Sequence, residues 1–394
     1  MRYINNPRSG DSLSVLGMGC MRFPTRGAGI DQSAAEGLVK LAYERGVNYF
    51  DTAWFYTNSE ETLGTAVKNL GIRDKIFIAT KLPYLIMRKP TDFDKYIESS
   101  LSRLKTDYID YYLMHMLTAF SDWEKLKTLG ALEKIAEWKA SGKIRNVGFS
   151  FHGSCGEFLK ILEDFDWDFC MIQLSYSDPN YQAGVTGLEA AAKRGMPVMI
   201  MEPLLGGRLV NGLPEAAETA LKNASGRLSG NADWGLNWLW NKPEVAVVLS
   251  GMNSESQIIE NTDSAAKSAA NSFTEAETAA IEEVRRIFGE SYKIKCTSCG
   301  YCMPCPKNVN IPGCFSAYNT SYSEGFFAGI RAYAMSNAVT SKTPHGAGNC
   351  IACRKCEKHC PQNLKISELL PVVKKRLEPA PIALAFRVAR AFRK

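Results

Sequence analysis

Short, almost continuously apolar runs alternate with longer amphipathic stretches through the first 290 residues. Such runs are typical of parallel strands that are buried on both faces. Eight strands are predicted: Ser14–Met18, Val47–Asp51, Ile76–Lys81, Ile109–His115, Ile144–Ser150, Cys170–Tyr176, Pro197–Glu202 and Val245–Ser250. The stretches between them, such as Gln32–Arg45, end at glycines, where helices commonly stop. Eight strands in strict alternation with helices over about 250 residues predict an α/β protein built on a (β/α)8, or TIM, barrel.

The pattern changes after residue 290. Nine of the twelve cysteines fall between Cys296 and Cys360, and the chain ends on a basic amphipathic stretch, Ile382–Lys394. A helix over Glu275–Phe288 is expected to close the barrel. We therefore predict two domains, a barrel at 1–290 and a mainly helical cysteine-rich domain at 291–394.

Charge separates the same two regions. Residues 1–290 hold 31 Lys and Arg against 37 Asp and Glu, a net −6, whereas residues 291–394 hold 16 against 4, a net +12. Part of the basic excess would offset metal-bound thiolates, and the rest could attract an acidic ferredoxin or flavodoxin, a nucleic acid or an anionic membrane surface, or simply be solvated. We expect no nucleic-acid partner.

The chain contains no apolar run long enough to span a bilayer and no apolar signal-peptide core near its start. We therefore expect no transmembrane segment and a cytoplasmic location. In that reducing compartment, clustered cysteines more often bind metal than form disulfides.

The second cysteine run, Cys350-x2-Cys353-x2-Cys356-x3-Cys360-Pro361, has the spacing of bacterial ferredoxins, and the first run is one residue shorter. Paired CxxC motifs also fit tetrahedral zinc, but four cysteines per run with a proline after each favour iron–sulfur. By analogy with two-cluster ferredoxins, we predict that the mainly helical domain at 291–394 is ferredoxin-like and holds two 4Fe–4S clusters. The expected ligand sets are Cys296, Cys299, Cys302 and Cys360 for one, and Cys305, Cys350, Cys353 and Cys356 for the other. Cys314 is expected to pack as a small apolar group.

Three stretches of the barrel carry a resemblance. Gly46–Tyr56 continues into Ser59–Gly64, Ile78–Lys81 ends one predicted strand, and Asp110–His115 ends the next. Together they resemble the signature of the aldo-keto reductases over about residues 12–290, and the added cysteine domain is similar to an iron–sulfur branch of that family. The resemblance implies a catalytic tetrad of Asp51, Tyr56, Lys81 and His115.

The tetrad residue types suit carbonyl reduction, which needs a hydride and a proton. A phenol such as Tyr56 is a poor acid at neutral pH, because its usual pKa is about 10. A nearby ammonium such as Lys81 stabilises the phenolate and lowers that pKa. Asp51 would hold the ammonium, and His115 would hydrogen-bond the carbonyl oxygen. The predicted substrate is a small carbonyl or alcohol compound.

The resemblance also implies a nicotinamide site. Ser150 and Gln173 match the carboxamide-binding positions, while Phe151 stands where the family has Asn, and the cations that would clamp a 2′-phosphate are replaced by Gly251 and Gln257. NAD and NADP therefore both remain open. The full set of cofactor-binding candidates is Met21, Ser150, Gln173, Glu202, Leu205, Ser250, Gly251, Ser254, Gln257 and Asn261.

Three hypotheses about function follow. The first is a nicotinamide-dependent carbonyl reductase whose clusters are structural or redox-sensing. The second is a reductase fed through the clusters by ferredoxin or flavodoxin, with a barrel-bound flavin left open. The third is a non-catalytic electron-transfer partner.

Overall fold

The apolar runs form the strands of a closed barrel in a computed structural model that describes residues 1–27, 29–338 and 345–391. The strands are β1 (Tyr3–Asn5), β2 (Ser12–Ser14), β3 (Leu16–Gly19), β4 (Thr25–Arg26), β5 (Gly29–Ile30), β6 (Tyr49–Asp51), β7 (Phe77–Leu82), β8 (Ile109–Leu117), β9 (Ile144–Phe151), β10 (Phe169–Gln173), β11 (Val198–Met201) and β12 (Val245–Ser250). The barrel order is β10-β11-β12-β3-β6-β7-β8-β9, with every neighbouring pair parallel. The predicted (β/α)8 barrel is thus confirmed.

Helices follow the barrel strands, as the pattern predicts. They are α1 (Gln32–Glu44), α2 (Ser59–Leu70), α3 (Asp92–Leu104), α4 (Phe120–Thr128), α5 (Ala131–Ala140), α6 (Cys155–Asp164), α7 (Gly184–Lys193), α8 (Arg208–Asn211), α9 (Glu215–Ala224), α10 (Asn231–Trp240), α11 (Glu255–Lys267), α12 (Glu275–Ser291), α13 (Ile311–Ser323), α14 (Phe326–Tyr333), α15 (Ile366–Leu377) and α16 (Ala380–Ala391). One close contact requires glycine: a Cβ at Gly64 in α2 would lie 2.5 Å from the carbonyl oxygen of Arg103 in α3.

The described chain divides into two compact units that interleave along the sequence. Met1–Pro203 and Ala232–Phe273 form the first unit, and Leu204–Asn231 and Thr274–Lys394 form the second. The division into domains at residue 290 stays a prediction.

The first unit has apolar layers on both sides of its strands. Inside the barrel, the rings of Tyr49, Tyr111 and Phe169 pack against one another with centroids 5.0–5.2 Å apart. Outside it, Trp123 and Trp138 are fully buried among the helices. Burial on both faces explains why the strands read as continuous apolar runs rather than alternating ones.

The second unit has a core of its own around α13 and α15. Val309, Phe315 and Val373 are fully buried there, and Cys314 is fully buried beside them, as expected for a small apolar group. Helix α12 begins with a capping box between Thr274 and Glu277.

The predicted basic C-terminal helix corresponds to α16, and its Arg393 and Lys394 lie outside the described residues. In the part of the chain that is described, no helix is both long and apolar enough to cross a bilayer.

Candidate functional site

The four tetrad candidates lie at the carboxyl end of neighbouring barrel strands. Asp51 is the last residue of β6, and Tyr56 lies in the segment between β6 and α2. Lys81 and His115 lie near the ends of the next two strands, β7 and β8. This is the face where the (β/α)8 fold supports chemistry.

Lys81 and Asp51 form a buried ion pair. The Lys81 Nζ donates to both carboxylate oxygens of Asp51, at 2.6 and 2.8 Å, and to the carbonyl oxygen of Thr52 at 2.6 Å. Both side chains are almost fully buried. Burial raises the pKa of Asp51 and lowers the pKa of Lys81, and the attraction between the two charges opposes both shifts. The pair thus places a desolvated ammonium in the barrel mouth.

Tyr56 and His115 lie beside this ammonium. The Lys81 Nζ is 4.9 Å from the centroid of the Tyr56 ring, and that ring meets the His115 ring edge to face at 6.0 Å between centroids. Burial, and then the charge of Lys81, lowers the pKa of His115 well below its usual value. The imidazole is therefore neutral near pH 7 and can act as a hydrogen-bond donor without carrying charge.

A β-bulge in β8 lies at His115. Met114 pairs with Phe149, but the next pair joins Leu117 to Phe151, so β8 contains one residue more than β9. Met116 takes a left-handed backbone conformation with φ of 58°, and its N–H donates to the Ser150 hydroxyl at 2.8 Å. Bulges commonly re-aim side chains next to active sites.

Two residues that sequence reasoning missed adjoin the tetrad. His152 is buried, and burial followed by the charge of Lys81 lowers its pKa to about 4, while a hydrogen bond with Gln182 opposes the shift. Cys20 is also buried, and burial followed by the charge of Asp51 raises the pKa of its thiol. Met21 and Ser150, which lie within two residues of Cys20 and His152 in the sequence, were already candidates. This proximity is the sequence feature that could have identified the two residues.

The remaining cofactor candidates occupy strand ends and one helix start. Gln173 ends β10, and Ser250 ends β12, where its hydroxyl accepts a hydrogen bond from Asn261 at 3.1 Å. Ser254 is the N-cap of α11, and the Gln257 amide oxygen accepts from the Asn253 N–H at 2.9 Å. The Gln257 side chain thus supports the turn that starts the helix.

Two further candidates follow β11. Glu202 comes directly after this strand and has a positive φ of 52°. Leu205 is buried and belongs to the second compact unit, whereas Glu202 belongs to the first.

Cations reach the loop after β12 from another part of the chain. A Cβ at Gly251 would lie 3.9 Å from the Cδ of Arg22, which ends the short 3-10 helix that contains Met21. Arg26 lines a pocket of about 470 Å³ together with Asn253 and Ser254. The loop therefore lacks its own cations but has two arginines from the β3–α1 segment beside it.

The predicted ligand groups cross between the two cysteine runs, and thiols of the two runs influence one another's pKa. Burial and then Cys360 raise the pKa of Cys296. Burial also raises the pKa of Cys302, with added effects from the thiols of Cys296, Cys299, Cys360 and, last, Cys356. Burial raises the pKa of Cys356 to about 11, with added effects from Glu357, Cys305 and Cys350. Cysteines of both runs are thus neighbours in space, and their division into two ligand sets stays a prediction.

A pocket collects the second of these groups. It is lined by Cys305, Cys350, Cys353 and Cys356, together with Pro306, Ile311 and Ile351. Within residues 1–27, 29–338 and 345–391, no three His, Cys, Asp or Glu side chains meet closely enough to share one metal ion. A 4Fe–4S cluster makes no such demand, because each of its thiolates binds a different iron.

Comparison with protein-family models agrees with this geometry. The Aldo/keto reductase family model matches residues 15–286, and a 4Fe-4S dicluster domain model matches residues 295–364. The chain belongs to the aldo/keto reductase family and carries a C-terminal 4Fe–4S dicluster domain.

Individual relatives and structures are more distant. An NADP(+) aldo-keto reductase of Schizosaccharomyces pombe is 30% identical over 151 residues, which is 36% of this chain and 43% of that protein. The chain spans less than half of the length of the first curated relatives that it matches.

Two solved structures share the fold. The holo form of an aldo-keto reductase from Bacillus halodurans aligns with a TM-score of 0.58 at 24% identity, over 72% of this chain and 96% of that one. An aldo/keto reductase from Klebsiella pneumoniae, in complex with NADP and acetate, aligns with a TM-score of 0.56 at 22% identity, over 70% and 93%.

Proposed function

We propose that this chain is a cytoplasmic oxidoreductase that reduces a carbonyl group to an alcohol, or catalyses the reverse reaction, with a nicotinamide cofactor, and that it carries two 4Fe–4S clusters. The observation that carries the proposal is the buried Lys81–Asp51 pair beside the Tyr56 ring and a neutral His115. These side chains fit carbonyl reduction because they combine a proton donor, a fixed positive charge and a neutral hydrogen-bond donor.

Each residue has a distinct role in the proposed reaction. A bound nicotinamide would supply the hydride. Tyr56 would give its hydroxyl proton to the carbonyl oxygen, and the Lys81 ammonium would stabilise the phenolate that remains. Asp51 would keep Lys81 charged despite its burial, and His115 would orient the carbonyl oxygen.

The residues for a nicotinamide cofactor lie around the same barrel face. Ser150 and Gln173 would bind the carboxamide, and Met21, Ser250, Ser254 and Asn261 would contact the rest of the cofactor. Arg22 would supply a positive charge that Gly251 and Gln257 lack. That charge would favour NADP, which has a 2′-phosphate, over NAD. The NADP named for the Klebsiella and S. pombe proteins supports this part of the proposal.

The cluster part of the proposal rests on the donor sets. Eight cysteines in two crossed groups of four would hold one cluster each, Cys296, Cys299, Cys302 and Cys360 the first, and Cys305, Cys350, Cys353 and Cys356 the second. Sulfur-only donors suit iron–sulfur clusters.

A second candidate function is a reductase that receives its electrons through the clusters. Phe151 at the usual Asn position, and a Gln257 side chain engaged with Asn253, favour it because both weaken the nicotinamide site. On this hypothesis the barrel keeps its proton donor, and a low-potential protein supplies single electrons.

The test is anaerobic purification, an iron and sulfide assay, and turnover of small aldehydes and ketones with NADH or NADPH. Tyr56→Phe should lower kcat by about 100-fold or more, because a general acid contributes roughly 10²–10⁴-fold. Tyr43→Phe, on helix α1, is the matched control and should leave kcat unchanged.

The outcomes separate the two candidates. Turnover with NADPH or NADH alone that is lost in Tyr56→Phe supports the first. Activity that appears only with a reduced low-potential protein, and is still lost in Tyr56→Phe, supports the second. Equal activity of the two tyrosine variants would contradict both.

A further inference from the structure

The two cysteine groups differ in how they meet the surface. In the first group Cys296 is buried, and its neighbour Thr297 is buried as well. In the second group Cys353 is exposed, and it lies within Ile351–Lys355, a segment in which every residue is exposed. The second group is therefore the more exposed of the two to an external molecule.

The surface around the exposed group is basic. Lys307 and Arg354 line the same pocket as the four thiols, Lys355 is exposed next to Arg354, and Lys358 is exposed in the 3-10 turn that follows Cys356. Glu357 is the only carboxylate between Cys350 and Cys360, and its Oε1 accepts hydrogen bonds from the Ser367 N–H at 2.8 Å and the Ser367 hydroxyl at 2.6 Å. The surface around the pocket, here called the rim, thus carries four cations and one carboxylate.

Bound clusters would lower the positive charge of this region without reversing it. A cluster with four thiolates carries a net negative charge of about two in its oxidised form. Residues 291–394 have a formal net charge of +12, so with two clusters in place their net charge would be about +8. The region that carries the rim therefore stays basic when the clusters are bound.

An exposed apolar side chain accompanies these cations. Ile351 also lines the thiol pocket, yet 59% of its surface is exposed, and Met303 in the other cysteine run is 38% exposed. An apolar centre with a charged rim is typical of protein–protein interfaces, and small interfaces of this kind are typical of redox encounters. A nucleic acid would instead be contacted mainly through its phosphates.

We propose that Ile351, Lys307, Arg354, Lys355 and Lys358 form a docking surface for a small acidic one-electron carrier protein. Opposite charge steers such a partner and sets its orientation. In each encounter the carrier would be oxidised by one electron and the cluster held by Cys305, Cys350, Cys353 and Cys356 would be reduced by one, with no bond or proton exchanged. The inference rests on the proposed clusters but not on the carbonyl chemistry of the barrel.

The experiment measures binding of an acidic ferredoxin to the anaerobically purified holoprotein at low and high ionic strength. In the double variant Arg354→Glu/Lys355→Glu, Kd should rise about 10-fold or more at low salt, because the charges that attract the partner are reversed. The control Lys222→Glu/Lys375→Glu makes the same change in net charge at exposed positions of α9 and α15, and its Kd should change less than about twofold.

If the double variant loses iron, Lys358→Glu is used instead, because Lys358 lies outside the Cys350–Cys356 loop. Its Kd for the ferredoxin should rise by a smaller factor than the Kd of the double variant. Equal weakening in the control, an unchanged Kd in iron-loaded variants, or equally tight and equally sensitive binding of phosphatidylglycerol vesicles or duplex DNA would overturn the proposal. Binding that survives in Tyr56→Phe separates this surface from the barrel reaction. Slower bleaching of the cluster absorbance by the reduced ferredoxin in the loop variants, but not in the control, supports it further.

Discussion

In the barrel, the tetrad residues come from three successive strands and one loop between Asp51 and His115, whereas the eight cysteines come from two short runs of the chain. Asp51, Lys81 and His115 are buried and Tyr56 is half-buried, and the Lys81 ammonium is already paired with Asp51 and Thr52. The cysteines include an exposed member, Cys353, and lie on loops rather than on strands.

This difference has a physical consequence for assembly. Strand register places Asp51, Lys81 and His115, and the β6–α2 segment places Tyr56, so protein contacts set the geometry of the barrel site. In the cysteine groups, burial and neighbouring thiols raise the pKa of Cys296, Cys302 and Cys356. Iron binding must therefore displace protons, and it should contribute directly to the stability of that region.

The largest effect is expected from Lys81→Met. The change leaves the Asp51 carboxylate buried without its cation, which should cost about 3–5 kcal/mol of unfolding free energy, and kcat should fall by about 10²–10³-fold or more. Lys40→Met, which removes an exposed ion pair with Glu44, is the control and should change little. Urea unfolding and steady-state kinetics measure both quantities, and equal stability of the two variants would show that the pair is not effectively buried.

The next effect concerns pH. The pKa of His152 is lowered to about 4 in the folded protein, against about 6.5 when unfolded. Between these values the unfolded chain binds more protons, so stability should fall as pH drops from about 6.5 towards 4, by up to about 1.4 kcal/mol per pH unit. His152→Gln should flatten this slope in urea unfolding measured at several pH values. A slope that is unchanged in the variant would assign the effect to other groups.

A smaller effect is expected at Arg22. If Arg22 supplies the charge that Gly251 and Gln257 lack, Arg22→Gln should raise the KM for NADPH by about 10-fold, as expected for the loss of a charge-assisted hydrogen bond, and leave the KM for NADH nearly unchanged. Arg8→Gln, in a partly exposed ion pair with Asp166, is the control. An equal rise in KM for NADPH and NADH would mean that Arg22 does not bind the 2′-phosphate of NADPH.

The barrel could be predicted from the sequence because each strand is marked by a local apolar run. Continuous apolar runs identified all eight barrel strands, although β10 ends at Gln173 rather than Tyr176 and β11 ends at Met201 rather than Glu202. Those ends depend on hydrogen bonds to neighbouring strands, which a single run does not encode.

Contacts between segments that are distant in the sequence could not be predicted. The bulge at Met116 follows from pairing between β8 and β9, and the approach of Arg22 to Gly251 joins residues from opposite ends of the barrel sequence. Cys20 and His152 have no motif of their own, so only the fold brings them to the Asp51–Lys81 pair. The proximity of the two cysteine runs, by contrast, could be predicted, because in ferredoxins with this spacing the ligands cross between runs. The division of the eight cysteines into two ligand sets stays a prediction.

The smallest expected change is a twofold loss of bound iron in Cys356→Ser. This variant also separates the two regions most clearly. Loss of one thiolate ligand should remove one cluster and halve the iron bound per chain, since hydroxyl oxygen is a poor substitute for a thiolate on iron. Cys314→Ser, at a buried cysteine outside both groups, is the matched control and should keep its iron. Because the tetrad is held by the barrel strands and the β6–α2 segment, NADPH-dependent turnover per folded barrel should persist in Cys356→Ser if the clusters are structural or sensing, and should vanish if they feed the reaction. Unchanged iron in Cys356→Ser, or equal loss in both variants, would contradict the assignment of Cys356 as a ligand.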